Sequence, residues 1–139
     1  MGRRKKAYAP KSFESAGAQN DSFLMIYESM LTSAAFKDMT KNQRLLYVCM
    51  KAQYYGKRKP AKDYPGIEKM QGQELFYFNR TLAVEKYNLY SDSNRKSFYD
   101  DIKAIERHGF IKTISSGKAT KSRTVYQFTS DWRTWRDTS

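Results

Sequence analysis

The pattern of apolar and polar positions predicts that regular structure begins near Ser22. From there, apolar side chains recur at the three- and four-residue spacing of one buried helical face, at Phe23, Ile26, Tyr27, Met30 and Leu31. Thr40 is a suitable helix cap, and a second helix is predicted over 41–55, ending at Gly56. Because residues 45–50 are apolar throughout, this helix is predicted to be buried on most sides.

Short elements are predicted to follow. The stretch 56–73 combines two prolines, three glycines and several lysines, which predicts a long exposed connection. The aromatic run over 74–79 is typical of a strand, and a short helix is predicted over 81–87.

A longer helix is predicted over 93–107, with cap oxygens at 91–93 before it and Gly109 after it in the C′ position. Its packing face is an apolar stripe at i, i+4 and i+7, formed by Phe98, Ile102 and Ile105. The opposite side carries polar and basic side chains. This helix is therefore predicted to pack along one face and to present the other to solvent.

Two runs with strand character follow, over 110–114 and 124–129, and predict a hairpin. Its tip contains a glycine and no acidic residue, and its basic side chains include Lys118, Lys121 and Arg123. A final turn of helix is predicted to cover the core with Trp132 and Trp135.

Composition narrows the functional classes. The chain has 26 Lys and Arg against 14 Asp and Glu, a net charge of +12, which favours a polyanionic partner such as nucleic acid. The chain has one cysteine, which excludes an internal disulfide. It has one histidine and no Walker-type glycine loop, so we expect neither an enzyme nor a cofactor or metal. No membrane span or export signal is apparent, and we expect a cytoplasmic protein.

The order helix, turn, helix and hairpin over 75–130 resembles the winged helix-turn-helix superfamily, within the α+β class. The resemblance implies that helix 93–107 enters the major groove of double-stranded DNA, with Asn94, Arg95 and Lys96 contacting bases. The hairpin tip, with Lys118, Lys121 and Arg123, would bind phosphates. The candidate DNA-binding residues of the helix are Ser93, Asn94, Arg95, Lys96, Tyr99 and Lys103. An ordinary polar helix face is the alternative, which Asp100 and Asp101 favour because carboxylates repel phosphate.

An offset of 51 residues brings two similar helical segments into register, so that Thr40 matches Ser91 and Tyr47 matches Phe98. If the repeat is genuine, the chain is an internal pseudo-dimer of two helix-turn-helix units around a small antiparallel sheet; the alternative is chance, because amphipathic helices resemble one another. The first unit would contact DNA only through its opening turn, with Lys41, Asn42, Gln43 and Arg44. The predicted organisation is a flexible basic arm over 1–21, a first unit with its connection over 22–74 and a winged unit over 75–139, with 22–139 forming one compact domain.

The stretches MTKNQRLLYVCMKAQYYG and SDSNRKSFYDDIKAIERHGFIK resemble the TraN family of double-stranded-DNA-binding accessory proteins of Gram-positive conjugative plasmids. That resemblance implies binding near a transfer origin, as a monomer with internal pseudo-symmetry, together with other conjugation or replication proteins. The winged-helix domain of plasmid replication initiators is similar over 23–130, and a transcriptional repressor is a further alternative. Two other classes stay open: an RNA or single-stranded DNA binder that uses the aromatic residues, and a protein-docking adaptor that uses helix 45–50.

Overall fold

The computed structural model describes residues 10–17, 21, 23–55, 75–115 and 124–136. The protein is a mixed α+β structure in which helices pack on a small antiparallel sheet. The α-helices are α1 (Glu28–Leu31), α2 (Ala34–Asp38), α3 (Lys41–Tyr55) and α4 (Arg95–Arg107). A π-helical turn spans Leu82–Lys86 and a 3-10 turn spans Asp131–Thr134, and the strands are β1 (Leu75–Tyr77), β2 (Ile111–Ser115) and β3 (Val125–Phe128). In the part of the chain that is described, no helix has both the length and the apolar character needed to cross a membrane.

The helix predicted from Ser22 onward is wrong over most of its length. Residues 23–27 have no regular structure, and the four-residue helix α1 begins only at Glu28. Phe23 and Tyr27 are 69% and 70% exposed, and Met30 is the one buried residue of α1. A short helix is stable in water only where its apolar face is packed. Here most of the expected face is uncovered, so the helical turn stays short.

Helix α3 has the bounds that the sequence predicts at both ends, Lys41 and Tyr55. Its start is a capping box: the Gln43 N–H donates to Thr40 Oγ1 at 3.2 Å, and the Thr40 N–H donates to Gln43 Oε1 at 3.0 Å. Leu46, Tyr47, Cys49, Met50 and Gln53 of this helix are buried, but Leu45 is 48% exposed and Val48 is only partly buried, contrary to the predicted burial on most sides.

Helix α4 begins at Arg95, two residues later than predicted, because Asn94 is its N-cap. It ends at Gly109, as predicted, where φ is +85°. The Gly109 N–H donates to Glu106 O at 3.0 Å, and the Phe110 N–H donates to Ile105 O at 3.3 Å. These two bonds form a Schellman motif, which turns the chain directly into β2.

The three strands form an antiparallel sheet in the order β1-β3-β2. Tyr126 on the central strand lies opposite Phe76 of β1 and Thr113 of β2. Strand β1 ends at Tyr77, two residues before the predicted end at Asn79, and the ends of β2 and β3 lie within one residue of those predicted for the hairpin strands. Residues 116–123, which carry Lys118, Lys121 and Arg123, lie outside the described residues.

The hairpin is attached firmly to the end of α4. Gly109 O accepts hydrogen bonds from the Trp132 N–H at 3.0 Å and from Thr129 Oγ1 at 2.5 Å, and Phe110 O accepts from the Thr129 N–H at 3.0 Å. The Trp132 ring stacks on the Phe110 ring with centroids 5.7 Å apart. Trp132 therefore covers the core, as predicted.

One hydrophobic cluster includes buried residues from α1 through β3. It contains Met30, Phe36 and Met50, which precede the predicted boundary at 74–75, and Phe98 and Ile105, which follow it. The helices of the two predicted units thus pack into the same core, and α3 lies against α4.

Candidate nucleic-acid interface

The outward face of α4 is the polar surface that the sequence predicts. The stripe of Phe98, Ile102 and Ile105 is buried against the core. On the other side, Arg95, Lys96, Tyr99 and Lys103 are exposed. Because the apolar stripe fixes the rotation of the helix, these four side chains point away from the core.

The residues that precede α4 are placed differently from the prediction. Asn94 Oδ1 accepts a hydrogen bond from the Ser97 N–H at 3.4 Å, so the Asn94 carbonyl caps the helix. Ser93 Oγ lies 3.3 Å from Ser91 Oγ in the preceding turn. Both residues are exposed, but neither is part of the helix. Arg95 is the first helical residue.

An ion pair lies at the outer edge of α4. Lys96 Nζ donates to Asp100 Oδ2 at 2.8 Å, one helical turn away, and both side chains are exposed. The hydrogen bond with Asp100 raises the pKa of Lys96, and the same bond lowers the pKa of Asp100. The pair reduces the net positive charge on this side of the helix. Among described residues, no carboxylate lies within ion-pair distance of Arg95 or Lys103.

A groove of about 710 Å³ separates α4 from the β2–β3 hairpin. Helix α4 contributes one wall and the strands contribute the other. The residues that line it are Arg95, Tyr99, Ile102, Lys103, Glu106, Thr113, Thr124 and Tyr126. Three of the predicted DNA-binding residues are thus brought together along one groove.

The wall of the groove is held by a hydrogen bond between helix and hairpin. Thr113 Oγ1 donates to Glu106 Oε1 at 2.6 Å. Beneath it, Tyr126 is buried, and burial together with the charge of Glu106 raises the pKa of its hydroxyl well above the usual range. The sequence analysis missed Glu106, although a carboxylate in the last turn of a basic helix face is visible in the sequence.

The opening turn of α3 has fewer polar side chains available for DNA than the sequence predicts. Lys41 and Asn42 are exposed, but the Gln43 side chain bonds to Thr40 and also donates from Nε2 to Asp101 Oδ1 at 3.1 Å. Both its polar atoms are therefore engaged within the protein. The prediction of Gln43 as a free DNA contact does not agree with this geometry.

Arg44 is also engaged within the protein. Its guanidinium donates from Nε to Met39 O at 3.0 Å and from Nη2 to Lys37 O at 2.7 Å, and it lies 5.6 Å from the centre of the Phe36 ring. The side chain satisfies carbonyls at the end of α2, where helical partners are lacking. Arg44 joins α2 to α3.

His108 links the end of α4 to α2. Its Nδ1 lies 2.6 Å from Ala104 O, the carbonyl contact expected for a histidine at a helix end, and its Nε2 lies 2.8 Å from Asp38 Oδ2. The Trp135 ring stacks on the imidazole with centroids 4.8 Å apart. No group of three or more His, Cys, Asp or Glu residues suited to a metal ion occurs within the described ranges.

Comparisons with known proteins add no relative: no family model, curated protein or solved structure matches this chain.

Proposed function

We propose that this chain is a winged helix-turn-helix protein that binds double-stranded DNA, with α4 as its recognition helix and β2–β3 as its wing. The order of elements from α3 to β3 and the sheet order β1-β3-β2 support this assignment. In such domains the exposed face of the recognition helix enters the major groove while the wing contacts the neighbouring backbone. The protein has no catalytic role in this proposal.

The observation that carries the proposal is the exposed face of α4 next to the hairpin. Arg95 and Lys103 are exposed there, with no carboxylate of the described residues within ion-pair distance, in a chain of net charge +12. The guanidinium of Arg95, at the start of the helix, suits guanine, and the ammonium of Lys103, further along the helix, suits a phosphate. Asn94 keeps its amide nitrogen available for a base, although its carbonyl caps the helix.

In this proposal α3 supports α4 and does not act as a second recognition helix. Gln43 and Arg44 use their polar atoms inside the protein, which leaves Lys41 and Asn42 as the exposed polar groups of that turn. The internal repeat then reflects two amphipathic helices that share one core. A pseudo-dimer with two DNA-contacting units would instead need Lys41 and Asn42 to bind a second half-site.

A salt-titrated binding assay tests the proposal with equal-length duplex DNA, single-stranded DNA and RNA. We expect duplex to bind best, with an affinity that falls steeply as salt rises. Lys103→Ala should weaken all duplexes and reduce the salt slope by about one unit, and Lys121→Ala should weaken all duplexes alike. Lys37→Ala, which removes an exposed lysine from α2, is the matched control. Preference for single strands would overturn the proposal.

Arg95→Ala should flatten sequence preference while leaving the salt slope nearly unchanged, because its guanidinium is assigned to a base. The control is again Lys37→Ala, which should keep the preference. An Arg95→Ala protein with full sequence preference would move base recognition to another part of the surface.

The proposal also concerns the DNA site at which the protein acts in the cell. The resemblance to the TraN family supports binding near a conjugative transfer origin, in the cytoplasm, as an accessory or regulatory factor. Footprinting on the DNA around its own coding region distinguishes this from the alternatives. Protection at a replication origin would favour an initiator, and protection over its own promoter would favour a repressor. Protection over one helical turn would support α4 alone, and protection over two major grooves would support the pseudo-dimer.

A further inference from the structure

The groove between α4 and the hairpin has the size and the walls of a small-ligand site. Its volume of about 710 Å³ lies in the range of protein pockets that hold such ligands, roughly 300 to 1,000 Å³. The chemistry of its lining indicates which ligand it fits.

Aromatic and aliphatic side chains form the floor and one wall. Tyr99 is 46% exposed, and its ring is held edge-on against Phe98 with centroids 5.0 Å apart. Below it lie Ile102 and Tyr126, both buried, and the Tyr126 ring stacks on Phe76 away from the groove. A tyrosine that is fixed on one side and exposed on the other is suited to stack on a nucleobase.

The groove is lined by both acidic and basic side chains, and each kind suits a different part of a ligand. Glu106 Oε1 accepts from Thr113, and no described residue donates to Glu106 Oε2. A carboxylate accepts hydrogen bonds and repels phosphate, so its complement is an amine. The Tyr126 hydroxyl is protonated at neutral pH, as tyrosine ordinarily is, and adds no second negative charge. Lys103 lines the same groove and suits a phosphate.

We propose that this groove binds one nucleotide whose base carries an exocyclic amino group. The base stacks on Tyr99, the amine donates to Glu106, and the phosphate contacts Lys103. Two sources share this chemistry: a free nucleotide, and an unstacked base of a DNA strand. The first is independent of the proposed function, and the second rests on it.

Titration of the full-length protein with dCMP, dAMP, dTMP and inorganic phosphate, followed by NMR shifts of the Tyr99 ring, tests base recognition without any duplex. We expect dCMP and dAMP to bind at least about fivefold more tightly than dTMP, because thymine has no exocyclic amine. Phosphate alone should leave the Tyr99 ring signals unchanged. Equal affinities for all three nucleotides would overturn the proposal, and so would shifts that phosphate alone reproduces.

Substitutions separate recognition from folding. Glu106→Gln keeps an oxygen for Thr113 but adds a hydrogen-bond donor. It should therefore reduce the preference for dCMP and dAMP over dTMP to less than about twofold. Glu85→Gln, which neutralises an exposed carboxylate outside the groove, should keep the full preference. Tyr99→Ala should weaken the binding of all three nucleotides, and Tyr27→Ala, which removes a more exposed tyrosine outside the groove, should weaken none. A Glu106→Gln protein that still discriminates against dTMP would contradict the assigned amine contact.

Duplexes with a bulged cytosine, a bulged thymine or no bulge distinguish the two sources. Tighter binding of the cytosine bulge, abolished by Glu106→Gln, identifies an unstacked base as the ligand. If the protein prefers dCMP and dAMP over dTMP but bulges add no affinity, the ligand is a free nucleotide. If duplex binds but neither nucleotides nor bulges do, the groove proposal fails and the proposed function stands. If the protein prefers dCMP and dAMP over dTMP and binds no duplex, the proposed function fails and the groove proposal stands.

Discussion

The side-chain amide of Gln43 donates to the carboxylate of Asp101 at 3.1 Å, which joins the first turn of α3 to the middle of α4. Asp101 also accepts a hydrogen bond from the buried Tyr90 hydroxyl, at 2.6 Å. One carboxylate thus holds α4 against α3 and against the turn that precedes α4. These bonds add to the apolar stripe of α4, which sets the outward direction of Lys103 and Tyr99.

Asp101→Ala should lower the free energy of unfolding by about 2 kcal/mol, because it leaves the buried Tyr90 hydroxyl and the Gln43 amide without their acceptor. Urea denaturation measures the change. Asp100→Ala is the matched control: it removes an exposed carboxylate from the adjacent position and should change stability little. Equal losses in the two variants would show that the Asp101 network adds nothing to stability.

Gly109→Ala should destabilise the protein by about 2 kcal/mol or more, because φ is +85° and a new Cβ would lie 2.6 Å from the Trp132 nitrogen. Thermal unfolding provides the measurement. Gly17 has the same φ of +85° but nothing within 4 Å of its would-be Cβ, so Gly17→Ala should cost much less. A similar loss in both variants would assign the effect to backbone conformation alone.

The stability of the protein should fall as pH rises above about 10, the ordinary pKa of tyrosine. Burial raises the pKa of Tyr126, so the folded state keeps a proton that the unfolded state loses. Each such tyrosine lowers the free energy of unfolding by about 1.4 kcal/mol per pH unit in that range. Tyr126→Phe should reduce the slope by about that amount in urea denaturation series at pH 10 to 11. An unchanged slope would show that Tyr126 ionises freely in the folded protein.

Asp38→Ala should lower the free energy of unfolding by about 1 kcal/mol, because the buried His108 ring loses the oxygen 2.8 Å from its Nε2. The expected loss is small because solvent screens the Asp38 carboxylate, which is 47% exposed. Asp92→Ala breaks an ion pair with Arg80 in which the carboxylate is 91% exposed, and it should cost less. If Asp92→Ala cost more, the α2 to α4 link would be the weaker of the two.

Asp100→Asn should strengthen duplex binding if α4 is the recognition helix. The substitution removes a negative charge from its outer face and frees Lys96 from its ion pair. One further ammonium could then contact a phosphate, so the salt slope should steepen by up to about one unit. Glu85→Gln removes the same charge outside this surface and serves as the control. Weaker duplex binding by Asp100→Asn would assign the carboxylate to a base amine.

The sequence predicts those parts of the fold whose determinants are local. The stripe of Phe98, Ile102 and Ile105 together with Gly109 specifies the rotation and the end of α4, and both agree with the structure. The capping box of α3 was also detectable, since threonine followed three residues later by glutamine is its signature. Only the start of α4 differs, by two residues, because several side chains before it could serve as the cap.

Tertiary contacts limit what the sequence predicts. Gln43 and Asp101 are 58 residues apart, so no local pattern shows that their side chains bond to each other and not to DNA. The helix expected from Ser22 fails for a related reason: spacing indicates where an apolar face would lie, but not whether anything covers it. Phe23 and Tyr27 have the right spacing and remain exposed.

The bonds that converge on Gly109 and Phe110 have a consequence for engineering. Thr129 and Trp132 anchor the residues after β3 to the turn that ends α4, and these bonds hold the base of the hairpin. We therefore expect the base to keep its position when the segment between β2 and β3 is exchanged. A graft of different length or charge at residues 116–123 should alter what the tip touches while α4 keeps its position.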